Sequence, residues 1–276
     1  MHSETIADVD RRFEFGENWR SFLNRLDDHR IGDAERSLKW LLDCEHLDGK
    51  RFLDIGSGSG LSSLVARRLG ADVVSFDYDP QSVKCTTTLR DRFFPNEPRW
   101  LVEHGSILDP GFLSNLGRFD VVYSWGVLHH TGAMRDAIGN AAQLVKPGGI
   151  LALSLYRKTA LCWFWALEKR WYCRAPEPAQ ARARALFIAL LRTAFAVTRR
   201  DFETYVSNYS SNRGMDFAHD VHDWLGGYPY ESIGPGHLDK LLTQRGFQKM
   251  RAKVRRAPIG VFGSGCDEYV YRRVAE

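Results

Sequence analysis

The chain has 276 residues, 44% of them hydrophobic, enough for one large domain or one domain with an insertion. No run of about 18 apolar residues occurs, which excludes a membrane-spanning helix, and no apolar segment follows a basic start, which argues against a signal peptide. Net charge is only +4, and five scattered cysteines without a C-x-x-C pair point to a reducing, cytoplasmic setting rather than a disulfide framework.

Residues 1–49 read as helical. Phe15, Trp19, Phe22, Leu23 and Leu26 recur at helix spacing, and so do Leu38, Leu41 and Leu42. Phe52-Leu53-Asp54-Ile55 reads as a buried strand, followed by Gly56, Gly58 and Gly60 at alternate positions. Leu61 to Leu69 is a helical pattern that Gly70 stops. A second strand pattern starts at Asp72 and ends in Asp77. Asp79-Pro80 opens a helix with an N-cap and a proline in its first turn. Arg99 to Glu103 is the third strand. Phe119 to Ser124 is the fourth, running directly into Trp125-Gly126-Val127-Leu128-His129-His130. Leu144-Val145-Lys146-Pro147-Gly148-Gly149 closes a helix and turns into a fifth strand, Ile150 to Ser154. This alternation from 51 to 156 predicts an α/β fold: a parallel sheet with helices on both faces.

The alternation stops at 157. Ala160 to Tyr172 is aromatic and helical, and Ala175-Pro176-Glu177-Pro178 breaks it. Ala179 to Arg199 is a second helical stretch, with Leu186, Phe187, Leu190 and Leu191 on one side. A polar loop, Ser207 to Gly214, follows. Residues 157–200 hold ten Lys or Arg against Glu168 and Glu177, a local +8, so the rest of the chain carries −4. After Pro235 come a short helix to Arg245, a strand from Phe247 to Val254 and a last strand near Glu268 to Arg272.

Glycines after a buried strand allow left-handed backbone and close approach of a ligand. An acid about 20 residues after such a turn, here Asp77, is placed to hydrogen-bond a ribose. The opening unit therefore reads as a nucleoside-cofactor half-site. It fits a dinucleotide poorly. G-x-G-x-x-G would need glycine at Leu61, and Gly60 falls one residue early. Asp54 also stands where a dinucleotide fold keeps an apolar residue, and a carboxylate there suits an ammonium group or ordered water better than a pyrophosphate.

The run D-I-G-S-G-S-G resembles motif I of the class I S-adenosylmethionine (SAM)-dependent methyltransferases. The stretch from Phe119 to His130 is similar to that family's fourth-strand motif, and Leu144 to Gly149 to its turn before the fifth strand. The resemblance covers residues 45 to 156 well, and the chain looks like the methylases loosely labelled as of ubiquinone-biosynthesis type. It implies a Rossmann-like seven-stranded sheet, mostly parallel, with an antiparallel C-terminal edge. The N-terminal helices (1–49) become a lid on a SAM-binding core (50–156). The insertion after the fifth strand (157–230) covers the substrate, and 231–276 completes the sheet. It implies SAM as cofactor and S-adenosylhomocysteine as product. Asp54 would lie near the methionine ammonium. Gly56, Ser57, Gly58 and Gly60 would shape the loop, and Asp77 would accept from the ribose hydroxyls. Tyr78, Ser106 and Ile107 would flank the adenine, without the Asp that the family usually places near Ser106. Ser124 and Trp125 would face the methionyl part.

Methyl transfer from a sulfonium is an in-line displacement, so the protein chiefly binds, aligns and excludes water. His129 and His130 are the first candidates for a base, against a structural role on their turn. The run Gly226 to Glu231 presents a second set, with Tyr228 and Tyr230 on the substrate side and Tyr230 and Glu231 for catalysis, against an ordinary packed turn. Phe15 and Trp19 are candidate lid residues for the substrate. Asp216 to Asp223, with His219 and His222, matches no metal-ligand spacing and reads as polar loop, so no metal site is expected. The expected acceptor is a small molecule methylated on O first, with N or S open. Ubiquinone methylases carry a Glu-rich E-x-L-E-H after the fourth strand, and Gly126 to His130 departs from it. Residues 157–200 leave three uses open: a lid or homodimer surface, a peripheral membrane contact with a lipid or quinone acceptor, or, least favoured, a nucleic-acid face on RNA. A non-catalytic SAM-binding protein is the remaining alternative.

Overall fold

Why the sheet must be covered on both sides is visible in its first strand. β1 (Arg51–Ile55) buries four consecutive residues, Phe52 to Ile55, which only a sheet sandwiched between helices can satisfy. The computed structural model describes Trp19, Leu23 and residues 26–209, 217–254 and 259–274. It contains a seven-stranded sheet in the order β3-β2-β1-β4-β5-β7-β6. The other strands are β2 (Asp72–Asp77), β3 (Trp100–His104), β4 (Phe119–Trp125), β5 (Val145–Tyr156), β6 (Phe247–Lys253) and β7 (Cys266–Arg273). Pairing is parallel from β3 through β5, and β7 runs antiparallel to both β5 and β6. This is the expected Rossmann-like sheet with its antiparallel C-terminal edge.

Strand alternation sorts the core into two layers. Leu53, Ile55, Val122, Leu151 and Leu153 point to one face, under α5 (Met134–Gln143) and α10 (Pro235–Thr243). Phe52, Val73, Val121, Tyr123 and Ala152 point to the other, under α1 (Asp28–Leu42) and α2 (Leu61–Arg68). α1 inserts Ile31, Leu38, Leu41 and Leu42 into that second layer. It is thus part of the core rather than of a lid. α3 (Pro80–Phe93) starts as expected: the Asp79 carboxylate accepts the Gln81 N–H at 2.9 Å and proline opens the helix. α4 (Pro110–Ser114) repeats the device with Asp109.

β5 is longer than its apolar run. It begins at Val145, so Lys146 to Gly149 forms an excursion within the strand: Val145 pairs with Phe119 but Ile150 already pairs with Val121.

The insertion has its own small core. α6 (Cys162–Tyr172), α7 (Glu177–Val197), α8 (Phe202–Ser207) and α9 (Phe217–Gly226) follow β5. Cys162, Trp165, Tyr172, Val221, Leu225 and Tyr230 are buried together there. One expectation fails in this segment: residues from Phe217 onward form α9 rather than loop. α8 takes in Ser207, the first residue of the expected polar loop, and 210–216 lie outside the described residues.

Candidate functional site

In an open α/β sheet the binding crevice lies outside the carboxyl ends of the strands, where the chain's winding reverses. Here that point is between β1 and β4, which neighbour each other while β2 lies on the far side of β1. Gly56, Tyr78, Gly105 and Gly126 directly follow the ends of β1, β2, β3 and β4. The expected cofactor stretches therefore meet at one edge.

The glycine loop is tied down from three directions. The Gly56 and Ser57 N–H groups both donate to the Phe76 carbonyl, at 2.9 and 3.1 Å. Ser57 Oγ and Thr86 Oγ1 lie 2.9 Å apart, and Thr86 Oγ1 donates to the Gly58 carbonyl at 3.2 Å. Gly58 is left-handed at φ +54°, and a Cβ there would come within 3.0 Å of the Trp19 indole. At Gly56, φ +74°, a Cβ would collide with Val127 at 2.4 Å. Trp19 and Val127 thus sit directly on the loop, so the glycines are required by close packing as well as by backbone conformation.

Asp77, at the end of β2, is the loop's main polar partner. Its Oδ2 accepts the Gly58 N–H at 2.9 Å and its Oδ1 accepts the Asp79 N–H at 2.9 Å. A carboxylate offers about four lone-pair sites, so two of these bonds leave capacity for a diol. Burial pushes its pKa up to about 6, against the pull of those backbone N–H groups. Tyr78 beside it is half exposed, its ring centroid 6.4 Å from that of His104. Such a surface fits a flat aromatic base.

Asp54 takes a different place from the one expected. Strand alternation turns it onto the α2 face, where it is 2% exposed and accepts from Ser63 Oγ at 2.6 Å. Ser63 Oγ is also 2.6 Å from Ser75 Oγ, which accepts from Trp100 Nε1 at 2.9 Å. This carboxylate ties the end of β1 to the first turn of α2 through Ser63. Burial raises its pKa to about 7 despite the Ser63 hydroxyl, and the charge of Asp77 adds to the rise.

Two more expectations change on orientation. The Ile107 side chain is buried in the first core layer, and its carbonyl accepts from Asn140 Nδ2 at 2.8 Å. Ser124 is fully buried and donates to the Ile55 carbonyl at 3.1 Å, locking β4 to β1. Ser106 Oγ accepts the Leu108 N–H at 3.1 Å, so it shapes the turn after β3. Trp125 remains half-buried at the edge, stacked on Tyr123 with ring centroids 5.2 Å apart.

The candidate catalytic residues are mostly engaged structurally. His129 is 1% exposed and its Nδ1 accepts the Tyr156 N–H at 3.2 Å, so it cannot collect an acceptor's proton. Burial holds its pKa well below the usual range. His130 Nδ1 donates to the Pro229 carbonyl at 2.8 Å, and burial lowers its pKa to about 4. It fastens the 226–231 turn to the end of β4. In that turn Tyr230 is buried, its hydroxyl 2.9 Å from Ser264 Oγ and 3.3 Å from Cys162 Sγ. Glu231 Oε2 accepts the Met134 N–H at 2.8 Å and so caps α5, whose own N-cap residue, Ala133, has no capping side chain. Both side chains therefore have structural partners in this turn. Tyr228 is half-buried and precedes Pro229. Phe15 lies outside the described residues. Among the described residues no cluster of three His, Cys, Asp or Glu is arranged to hold a metal ion.

The sequence reading missed Ser63, Thr86 and Val127, which support the loop, and His104, whose Nε2 lies 2.9 Å from the Tyr78 carbonyl. Ser63 is buried in a short helix beside Leu64, Val65 and Ala66. Thr86 reaches the loop, and His104 reaches Tyr78, only through the fold.

A family model described as a methyltransferase domain matches residues 26–249. The chain belongs to this family, the class I SAM-dependent methyltransferases. Curated relatives include the mitochondrial ubiquinone biosynthesis O-methyltransferase of Schizosaccharomyces pombe, 28% identical over 173 residues, covering 58% of each chain. The ubiquinone biosynthesis O-methyltransferase of Cronobacter sakazakii is 32% identical over 148 residues, covering 52% of this chain and 56% of that one. The chain spans just over half the length of these relatives. Among solved structures, magnesium protoporphyrin IX methyltransferase from Synechocystis PCC 6803 with bound SAH superposes with a TM-score of 0.57 at 15% identity, covering 98% of this chain and all of the other. An O-methyltransferase family protein from Burkholderia thailandensis gives 0.54 at 14% identity, covering 90% and 58%. At such identities these two likenesses bear on the methyltransferase fold.

Proposed function

We propose that this methyltransferase transfers the methyl group of SAM to the oxygen of a small-molecule acceptor. One observation carries the cofactor half of that reading: Asp77 grips the glycine loop through the Gly58 N–H at the switch point of the sheet, with acceptor capacity to spare. Asp77 would take the ribose diol and exposed Tyr78 the adenine face. The Gly56–Gly60 loop, braced by Thr86, would cradle the amino-acid part. SAM supplies a methyl group already activated on a sulfonium. Trp19 and Trp125 would wall the crevice against water, which an in-line displacement requires.

The acceptor would lie under the 226–231 turn. His130 pins that turn to the end of β4, and in this reading the inserted helices would stand over the crevice. His130 positions this cover rather than acting as a base. Oxygen as the acceptor atom is supported by the curated relatives named as O-methyltransferases. A screen of candidate hydroxyl compounds with methyl-labelled SAM tests the reading. Label transferred to an oxygen supports it, and label found only on nitrogen or sulfur acceptors overturns the O-acceptor part.

A further inference from the structure

Helix α7 runs for 21 residues and buries none of them, yet it is largely apolar. Leu186, Leu190 and Val197 are 62%, 53% and 79% exposed. With Arg182 they recur at helical spacing, and all four line a groove of about 870 Å³ between α7 and α6. Phe164 and half-exposed Trp171 form the opposite wall. A contiguous apolar face of this kind marks an interaction surface. Each leucine left in water forgoes about 1.5–3 kcal/mol of burial.

Charge decides what covers it. The 157–200 segment carries +8, and Arg170, Arg174, Arg182, Arg192, Arg199 and Arg200 are exposed. A second copy of the chain would set this charge against itself across an apolar seam, which is repulsive. A nucleic acid would meet the arginines but leave the leucine stripe in water. An anionic bilayer satisfies both features, with acyl chains under the stripe and headgroups against the arginines. The aromatic wall suits the same boundary. Among the described residues no helix is long and apolar enough to cross a membrane, so the contact is in the plane of the surface.

We infer that α6 and α7 together dock this protein onto an anionic lipid bilayer, with Leu186, Leu190, Val197 and Trp171 in the acyl boundary and the surrounding arginines at the headgroups. The inference stands apart from the proposed methyl transfer, because lipid binding is read without turnover.

Flotation of the full chain with vesicles tests it, using phosphatidylcholine alone or a phosphatidylglycerol-rich mixture at low and high salt. The protein should float with the phosphatidylglycerol vesicles, less so at high salt, and stay behind with phosphatidylcholine. The Leu186→Asp/Leu190→Asp variant should bind at least about tenfold more weakly with unchanged circular dichroism and unchanged S-adenosylhomocysteine affinity. Arg182→Gln/Arg199→Gln leaves the apolar stripe intact and should bind several-fold more weakly with a shallower salt dependence. Failure to float with phosphatidylglycerol vesicles overturns the inference. So does equal binding by the Leu186→Asp/Leu190→Asp variant, or sedimentation showing a dimer that this variant abolishes.

Discussion

The Asp77 carboxylate accepts the Gly58 backbone N–H at 2.9 Å, joining the end of the second strand to the middle of the glycine loop. The two residues are 19 positions apart, separated by one helix and one strand. Asp77 therefore has a structural duty in the loop and, in the proposed function, a second duty toward the ribose. The same carboxylate presets the loop shape and offers its remaining lone pairs to the ligand, which lowers the ordering needed on binding.

Burial raises the pKa values of Asp54 and Asp77 to about 7 and about 6. An acid whose pKa is higher folded than unfolded stabilises the fold below its unfolded pKa, near 3.8, and loses that contribution as pH rises through the folded value. The ligand-free protein should therefore lose stability between about pH 4 and 7 from these two groups. Asp54→Asn keeps an acceptor for Ser63 and removes the buried charge. Its melting temperature should exceed that of the parent at pH 8 and approach it at pH 5. Melts showing the gain at pH 5 instead would mean that Asp54 is not buried as described.

Glu231 and Met134 illustrate a second long-range device. Removing the carboxylate in Glu231→Ala uncaps α5 and should cost about 0.5–2 kcal/mol in chemical denaturation. SAM affinity should hold, because α5 packs on the face of the sheet opposite α2, the helix that follows the loop. A stability equal to the parent's, with an altered acceptor KM, would return Glu231 to the substrate side.

Tyr230→Phe should behave as a stability variant. The hydroxyl bonded to Ser264 is worth about 1 kcal/mol, and its loss should leave the acceptor KM near the parent's. His130→Ala should lower turnover by loosening the 226–231 turn. It should not change the shape of the pH–rate profile between pH 6 and 8, since His130 titrates near 4. A profile that loses its acidic limb in the variant would identify His130 as the base.

Much of this site was legible because its parts are local in sequence. The strand, the three glycines and Asp77 fall within the 27 residues from Arg51 to Asp77, and each reports its own backbone requirement. Asp79-Pro80 named its helix start for the same reason. Orientation was less legible. Asp54, Ile107 and Ser124 lie on the expected strand ends, but which face each side chain takes depends on strand parity and on the helix packed above. Partnerships across the chain were not legible at all. Glu231 caps a helix that begins 97 residues earlier, and His130 bonds a carbonyl 99 residues later. Glu231 and His130 read as candidate chemistry because titratable residues on a turn look alike whether they react or fasten.

The most direct test of the account is calorimetric titration of S-adenosylhomocysteine into the parent protein and Asp77→Ala, with NAD as the control ligand. The parent should bind S-adenosylhomocysteine and not NAD. Asp77→Ala, still folded by circular dichroism, should bind at least tenfold more weakly, from the loss of about 1.5–3 kcal/mol of charge-assisted hydrogen bonding. Equal affinity in the two proteins, or heat from NAD alone, would contradict the assignment of Asp77 and the glycine loop as the SAM site.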